Sequence, residues 1–194
     1  MNANYQPVEL KKCYLLLNHG PVCLVSSAFH ERRNVMAASW IMPLDFDPPK
    51  VLAVIAKSSY TRELIEASGE FALSLPSRRL ADKVLAAGSV SGRDSDKFAD
   101  LGIEVFPADQ IKAPLVRDCA AWLECKVIPE RHNQERYDLF IAEVVAAWAD
   151  PSVFSEGRWH FPDAARKTIH YQAGGSFFET GEAFECETTD NEKM

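Results

Sequence analysis

Pro21-Val22-Cys23-Leu24-Val25-Ser26-Ser27-Ala28 reads as a strand, because Val22, Leu24, Ser26 and Ala28 alternate with Cys23, Val25 and Ser27 at the two-residue period of an extended chain. Working outward from it, Phe29 to Arg33 is a charged connector and Asn34 to Met42 is extended again. Pro43 to Pro49 holds three prolines and two acids, which predicts a rigid loop rather than a strand. Val51 to Ala56 is uninterrupted apolar sequence suited to a central strand. Ser58-Ser59-Tyr60-Thr61 then supplies helix-starting hydroxyls, Arg62 to Ser68 has the spacing of a short amphipathic helix, and Gly69 ends it.

Phe71, Leu73 and Leu75 alternate as another strand. Ser77 is placed to cap a helix through Ala87, with Leu80, Ala81, Val84 and Leu85 on one face, and Gly88 to Gly92 is a small-residue loop. Asp94 to Leu101 predicts a third short helix, closed by Gly102. Strands return at Ala121 to Ile128 and, after a polar turn from Pro129 to Arg136, at Tyr137 to about Trp148. A linker over Asp150 to Pro162 precedes a last strand near Lys167 to Gln172. The chain is therefore mainly β with helical inserts, and an antiparallel barrel, closed or nearly so, accommodates that order best.

Composition agrees with one globular unit: 194 residues, 47% hydrophobic and 25% charged. Residues 1–178 are expected to form a single domain and 179–194 an acidic, solvated tail. The net charge of -7 argues against nucleic acid and anionic membrane as partners, so an anionic ligand needs a local basic patch or oriented amides. Met1 to Lys12 lacks a signal core and the apolar stretch Leu139 to Ala149 is too short to span a bilayer, which predicts a cytoplasmic protein. The five cysteines form no Cys-x-x-Cys pair. Cys119 and Cys125, six positions apart in one strand, would stand about 20 Å apart, too far to share a metal, so no metal site is expected.

The chain contains no Gly-x-Gly-x-x-Gly after a strand, no phosphate-loop lysine motif, no Gly-x-Ser-x-Gly and no His-Glu-x-x-His. Asp45 and Asp47 have the spacing of an acid and base pair, but beside prolines they read as turn formers. Three other stretches carry more. In Asn34-Val35-Met36-Ala37-Ala38-Ser39-Trp40, small residues expose backbone amides beside polar atoms and an aromatic wall, which suits the edge of a flat heterocycle and equally a half-buried strand with a core Trp. Ser58, Ser59 and Thr61 enter a helix beside Lys57 and Arg62, where free amides and the helix dipole favour a phosphate, although capping alone would also explain them. Ser91-Gly92-Arg93-Asp94-Ser95-Asp96-Lys97-Phe98 sets two cations beside a flexible glycine, or is a charged helix start. His132, by its setting, is an exposed histidine of a polar turn.

Taken in order, Asn34-x-Met36-x-x-Ser39-Trp40, Met42 to Pro49, Ser58 to Thr61 and Ser91-Gly92-Arg93-Asp94-x-Asp96-Lys97-Phe98 resemble the flavin reductase-like family with the FMN-binding split barrel, specifically its flavoredoxin branch. The resemblance implies a homodimer with FMN near the subunit interface. By position Asn34, Val35, Met36, Ala37, Ala38, Ser39 and Trp40 line the isoalloxazine. Ser58, Ser59 and Thr61 hold the phosphate, Lys97 neutralises it with help from Arg93 and the Ser91 loop, and His132 approaches the ring or its substrate side. Arg131-His132-Asn133 stands where the reductase branch often has Gly-Asp-His, so the electron donor is left open. Three functions compete: an FMN-dependent NAD(P)H oxidoreductase acting on a flavin, ferric or other small acceptor; an FMN electron carrier reduced by a redox protein partner; and a flavin-free β-barrel in which Trp40 and Trp122 are core.

Overall fold

The computed structural model describes residues 20–186; the amino-terminal readings before Gly20 and the tail acids from Glu187 onward lie outside it. Seven strands make one antiparallel sheet: β1 (Cys23–Phe29), β2 (Arg32–Ala38), β3 (Ile41–Phe46), β4 (Pro49–Val54), β5 (Glu70–Pro76), β8 (Cys119–Ile128) and β9 (Leu139–Ala149), in the order β2-β1-β5-β8-β9-β4-β3. The short pairs β6 (Val105–Phe106) with β7 (Leu115–Val116), β10 (Phe154–Ser155) with β11 (Arg158–Trp159), and β12 (Ile169–Ala173) with β13 (Ser176–Glu179) decorate it. Helices α1 (Tyr60–Ser68), α2 (Ala81–Ser89), α3 (Lys97–Asp100) and α4 (Arg131–Tyr137) fill the connections.

The sheet curls on itself. One buried cluster takes Val25 and Ala38 from one end of the strand order, Val51 and Ala53 from the other, and Phe71, Leu73, Cys125 and Phe140 from between. Fully burying Phe71 or Phe140 contributes about 1.5–3 kcal/mol each, which favours the curl, and among the described residues no strand of this sheet lies beyond β2 or β3. Ile65 of α1 joins that interior cluster, while α2, through Val84 and Ala87, packs on the opposite face of β1 and β2 with Leu24 and Val35. β2 is thus sandwiched between two helices, and its ends carry both of them to one place.

Several sequence expectations need correction. Pro43 to Pro49 is not a loop: Ile41–Phe46 and Pro49–Val54 form a hairpin turning at Asp47–Pro48, whose peptide is cis. Proline is admitted because β3 is the outer strand, where a missing N–H costs no ladder bond. The connector Phe29 to Arg33 is a tight hairpin, with His30 at φ 51. The polar turn is helix α4, which has no apolar stripe and is held instead by the Arg131–Glu135 pair at 2.6 Å and by Asp138, whose left-handed backbone donates to Asn133 O. The linker contains β10 and β11, and the last strand is half of a hairpin that ends at Glu179, paired with Arg78. Asp45 is a strand residue whose carboxylate accepts from Lys50 Nζ (2.7 Å) and Phe46 N (2.8 Å), which holds it below the usual carboxylate range.

Candidate anion-binding cavity and its neighbour

The site begins with α1. Ser59 sits in extended backbone and its Oγ accepts from Arg62 N at 3.2 Å, so one of the first-turn amides is capped and those of Tyr60 and Thr61 have no acceptor within the helix. Gly69 at φ 75 closes the other end. Asn34, from the buried half of β2, reaches this helix start: its Nδ2 donates to Thr61 Oγ1 at 2.8 Å, and the two residues are 3% and 0% exposed. On Asn34's other side the chain after α2 passes so close that a Cβ on Gly92 would stand 1.9 Å from Asn34 Oδ1. Only glycine permits that approach.

Lys97 completes the wall. It opens α3 yet is 4% exposed, and its ammonium donates to Ala87 O at 2.7 Å and Val35 O at 3.0 Å. No carboxylate among the described residues pairs with it. An ammonium has three donors, so one direction is left beyond these two carbonyls. Burial pushes its pKa down from the ordinary lysine value.

These residues enclose a cavity of about 190 Å³ lined by Asn34, Met36 and Ala37, by Ser58, Ser59, Tyr60 and Thr61, and by Gly88, Ser91, Gly92 and Lys97. The three sequence stretches singled out for chemistry therefore meet, and Thr61 and Lys97 face the same space. The cavity combines helix-start amides, hydroxyls and an uncompensated buried cation, which suits a compact dianion. Ala37 and Gly88 also border a second cavity of about 190 Å³, whose walls include Ala38, Ser39, Val84, Leu85, Tyr171 and Phe177. Tyr171 and Phe177 meet edge to face at 5.4 Å across the β12–β13 hairpin. This second space is walled by polar and apolar surface in about equal measure and shares Ala37 and Gly88 with the first.

Other expected residues lie elsewhere. Val35 is buried on the α2 side and contributes its carbonyl to Lys97. Trp40 is 49% exposed and lines neither cavity, so it is not a core residue, whereas Trp122 is half-buried against the core, its Nε1 donating to Val116 O at 2.6 Å. Arg93 is not among the residues that line the cavity and is held instead by Glu63 and Ser58 O. His132 is exposed on α4, its ring 5.7 Å from that of Tyr137, and borders neither cavity. Arg62 turns away from the helix start: it is 4% exposed and is held by Asp138 (2.5 Å), Glu66 (2.7 Å), Gln134 O (2.7 Å) and Ile55 O (3.1 Å). Lys57 is likewise drawn off, to Glu135 O. Sequence reading missed Gly88, whose Cβ would stand 3.3 Å from that of Ala37, and the pair Tyr171 and Phe177. A lone glycine late in a helical pattern was the available signal for the first; the aromatics come from a remote hairpin and carried none.

Comparison with known proteins places the fold. The family model for the Flavin reductase like domain matches residues 17–173. The uncharacterized protein YddH of Escherichia coli (strain K12) is 45% identical over 182 residues, covering 92% of this chain and 96% of that protein. The crystal structure of an FMN-binding domain of a flavin reductases-like enzyme from Shewanella baltica superposes with a TM-score of 0.84 at 47% identity, over 93% of this chain and 96% of that one. Flavoredoxin of Desulfovibrio vulgaris (Miyazaki F) matches in fold, with a TM-score of 0.77 at 24% identity over 100% and 99% of the two chains. The curled seven-stranded sheet is accordingly a split β-barrel, and the chain belongs to the flavin reductase-like family.

Proposed function

We propose that this chain is an FMN-binding oxidoreductase that passes a hydride or electrons from NAD(P)H to a flavin, ferric or other small acceptor. The observation that carries the reading is Lys97: a buried ammonium without a carboxylate partner among the described residues, opposite the start of α1 in one small cavity. A phosphate there accepts from the Tyr60 and Thr61 amides, the Ser58 and Ser91 hydroxyls and the remaining Lys97 donor. Asn34 and Gly92 shape the space. Ala37 and Gly88, which border both cavities, would flank the ribityl chain, and Met36 to Ser39 would hold the ring, where backbone amides would favour negative charge on it. When bound, FMN supplies the redox chemistry; the protein binds, orients and tunes it.

The active form is a homodimer. Met42, Leu44 and Phe46 are exposed along the outer strand β3, Phe46 at 97%, with exposed Trp40 just before it, and a second copy of this chain is the cover that such an edge calls for.

The absorption spectrum of the purified protein, before and after adding FMN, tests the reading. A bound flavin with a perturbed visible band that bleaches rapidly on anaerobic mixing with NADH or NADPH is expected. Bound FMN that neither nicotinamide reduces would make the chain an electron carrier served by a redox protein, and a protein that takes up no FMN would end the flavin reading.

A further inference from the structure

We propose that Arg93 is the specificity residue that makes this site accept a flavin monophosphate and refuse a dinucleotide, an inference that rests on the flavin reading above. The walls of the anion cavity draw on two separate segments, one holding Ser58 and the other Ser91. Arg93 ties them. Its Nη2 donates to Ser58 O at 3.2 Å, its backbone N–H donates to Ser91 Oγ at 3.2 Å, and Nη1 pairs with Glu63 in the first turn of α1 at 2.5 Å. The guanidinium also lies 5.6 Å from the centroid of the Tyr60 ring.

Position gives the tie its consequence. Ala37 and Gly88 border both cavities, so the organic part of a ligand whose phosphate sits by Lys97 leaves on that side. Of the two cavities, Ser58 and Ser91 border only the anion cavity, and Arg93 straps together the segments that carry them. A phosphate monoester ends inside the strap. A pyrophosphate would have to pass its second phosphate and the attached nucleoside between Ser58 and Ser91, which breaks the contacts to Ser58 O and Glu63. Glu63 also neutralises Arg93, so the guanidinium offers an outer phosphate little net attraction in exchange.

Calorimetric titration of the full chain with FMN, riboflavin and FAD reads this without turnover. Wild type should bind FMN at least about tenfold more tightly than FAD, and Arg93→Ala should bring that ratio to about threefold or less by admitting FAD. The preference for FMN over riboflavin, which reports the Lys97 end, should persist in the variant. Should Arg93→Ala lose its native circular dichroism, Glu63→Gln, which releases the guanidinium without deleting it, carries the same expectation. An unchanged FMN-to-FAD ratio in the folded variant, or a wild type that binds both equally, overturns the proposal and leaves the flavin reading standing. A wild type that binds none of the three overturns both.

Discussion

Asn34 and Thr61, from a barrel strand and a helix start, share a hydrogen bond of 2.8 Å with both side chains buried. That bond fixes where the first-turn amides of α1 point, because Thr61 is the second residue of the helix and Asn34 is anchored in the β1–β2 ladder opposite Ser27. Replacing Thr61 by Val keeps the shape and strands the Asn34 amide, which should lower unfolding free energy by about 1–3 kcal/mol. Urea denaturation measures it, and FMN affinity should fall in the same variant. Loss of affinity without loss of stability would mean that Thr61 acts only as a ligand.

Gly92→Ala places a methyl group within 1.9 Å of Asn34 Oδ1. The Ser91–Gly92 loop must then retreat from β2, at a cost of about 1–3 kcal/mol. Gly181→Ala, where nothing lies within 4 Å, is the matched control and should be neutral. Equal melting temperatures for the two variants would contradict the close approach.

The pH dependence follows from the lowered pKa of Lys97, caused by its burial. Between that lowered value and the ordinary lysine value the unfolded chain holds the proton and the folded chain does not, so this group makes the ligand-free protein more stable as pH rises through the window. Affinity for FMN moves the opposite way, falling as the ammonium is lost. The difference in denaturation free energy between wild type and Lys97→Met, followed into the alkaline range, should therefore change with pH; a flat difference would place the ammonium in water.

Cys23, Cys119 and Cys125 are buried thiols, and desolvation raises all three, Cys23 to about 12 and the other two further. Thiolate is what reacts. Maleimide labelling mapped by mass spectrometry should leave these three untouched in the folded protein and modify them in urea, whereas exposed Cys186 reacts at once. Rapid labelling of Cys125 in the native state would contradict its place in the barrel core.

Strands with one face in the core were legible wherever side chains alternate, as in Phe71, Leu73 and Leu75, and the helix from Tyr60 to Ser68 announced itself through its cap and Gly69. What periodicity does not encode was missed. The β3 hairpin is hidden by prolines that an edge strand tolerates, and α4 by having only polar residues and ion pairs to hold it. Glu124, a carboxylate in mid-strand, is 0% exposed: beside a bulge, it accepts from the amides of Asp109 and Gln110 and from the indole of Trp148. The cavity was legible as residue types in order. That Lys97 points into the cavity while Lys57 and Arg62 turn away from it depends on carbonyls and carboxylates from distant segments, which no local pattern reveals.

The central claim is that Lys97 and the start of α1 hold one phosphate between them. Comparing FMN with riboflavin by titration, in wild type and in Lys97→Met, tests it most directly. Wild type should prefer FMN by about 100-fold or more, equivalent to about 2.7 kcal/mol, and Lys97→Met should lose most of that preference while its riboflavin affinity stays the same. Equal losses of affinity for both ligands would contradict the claim.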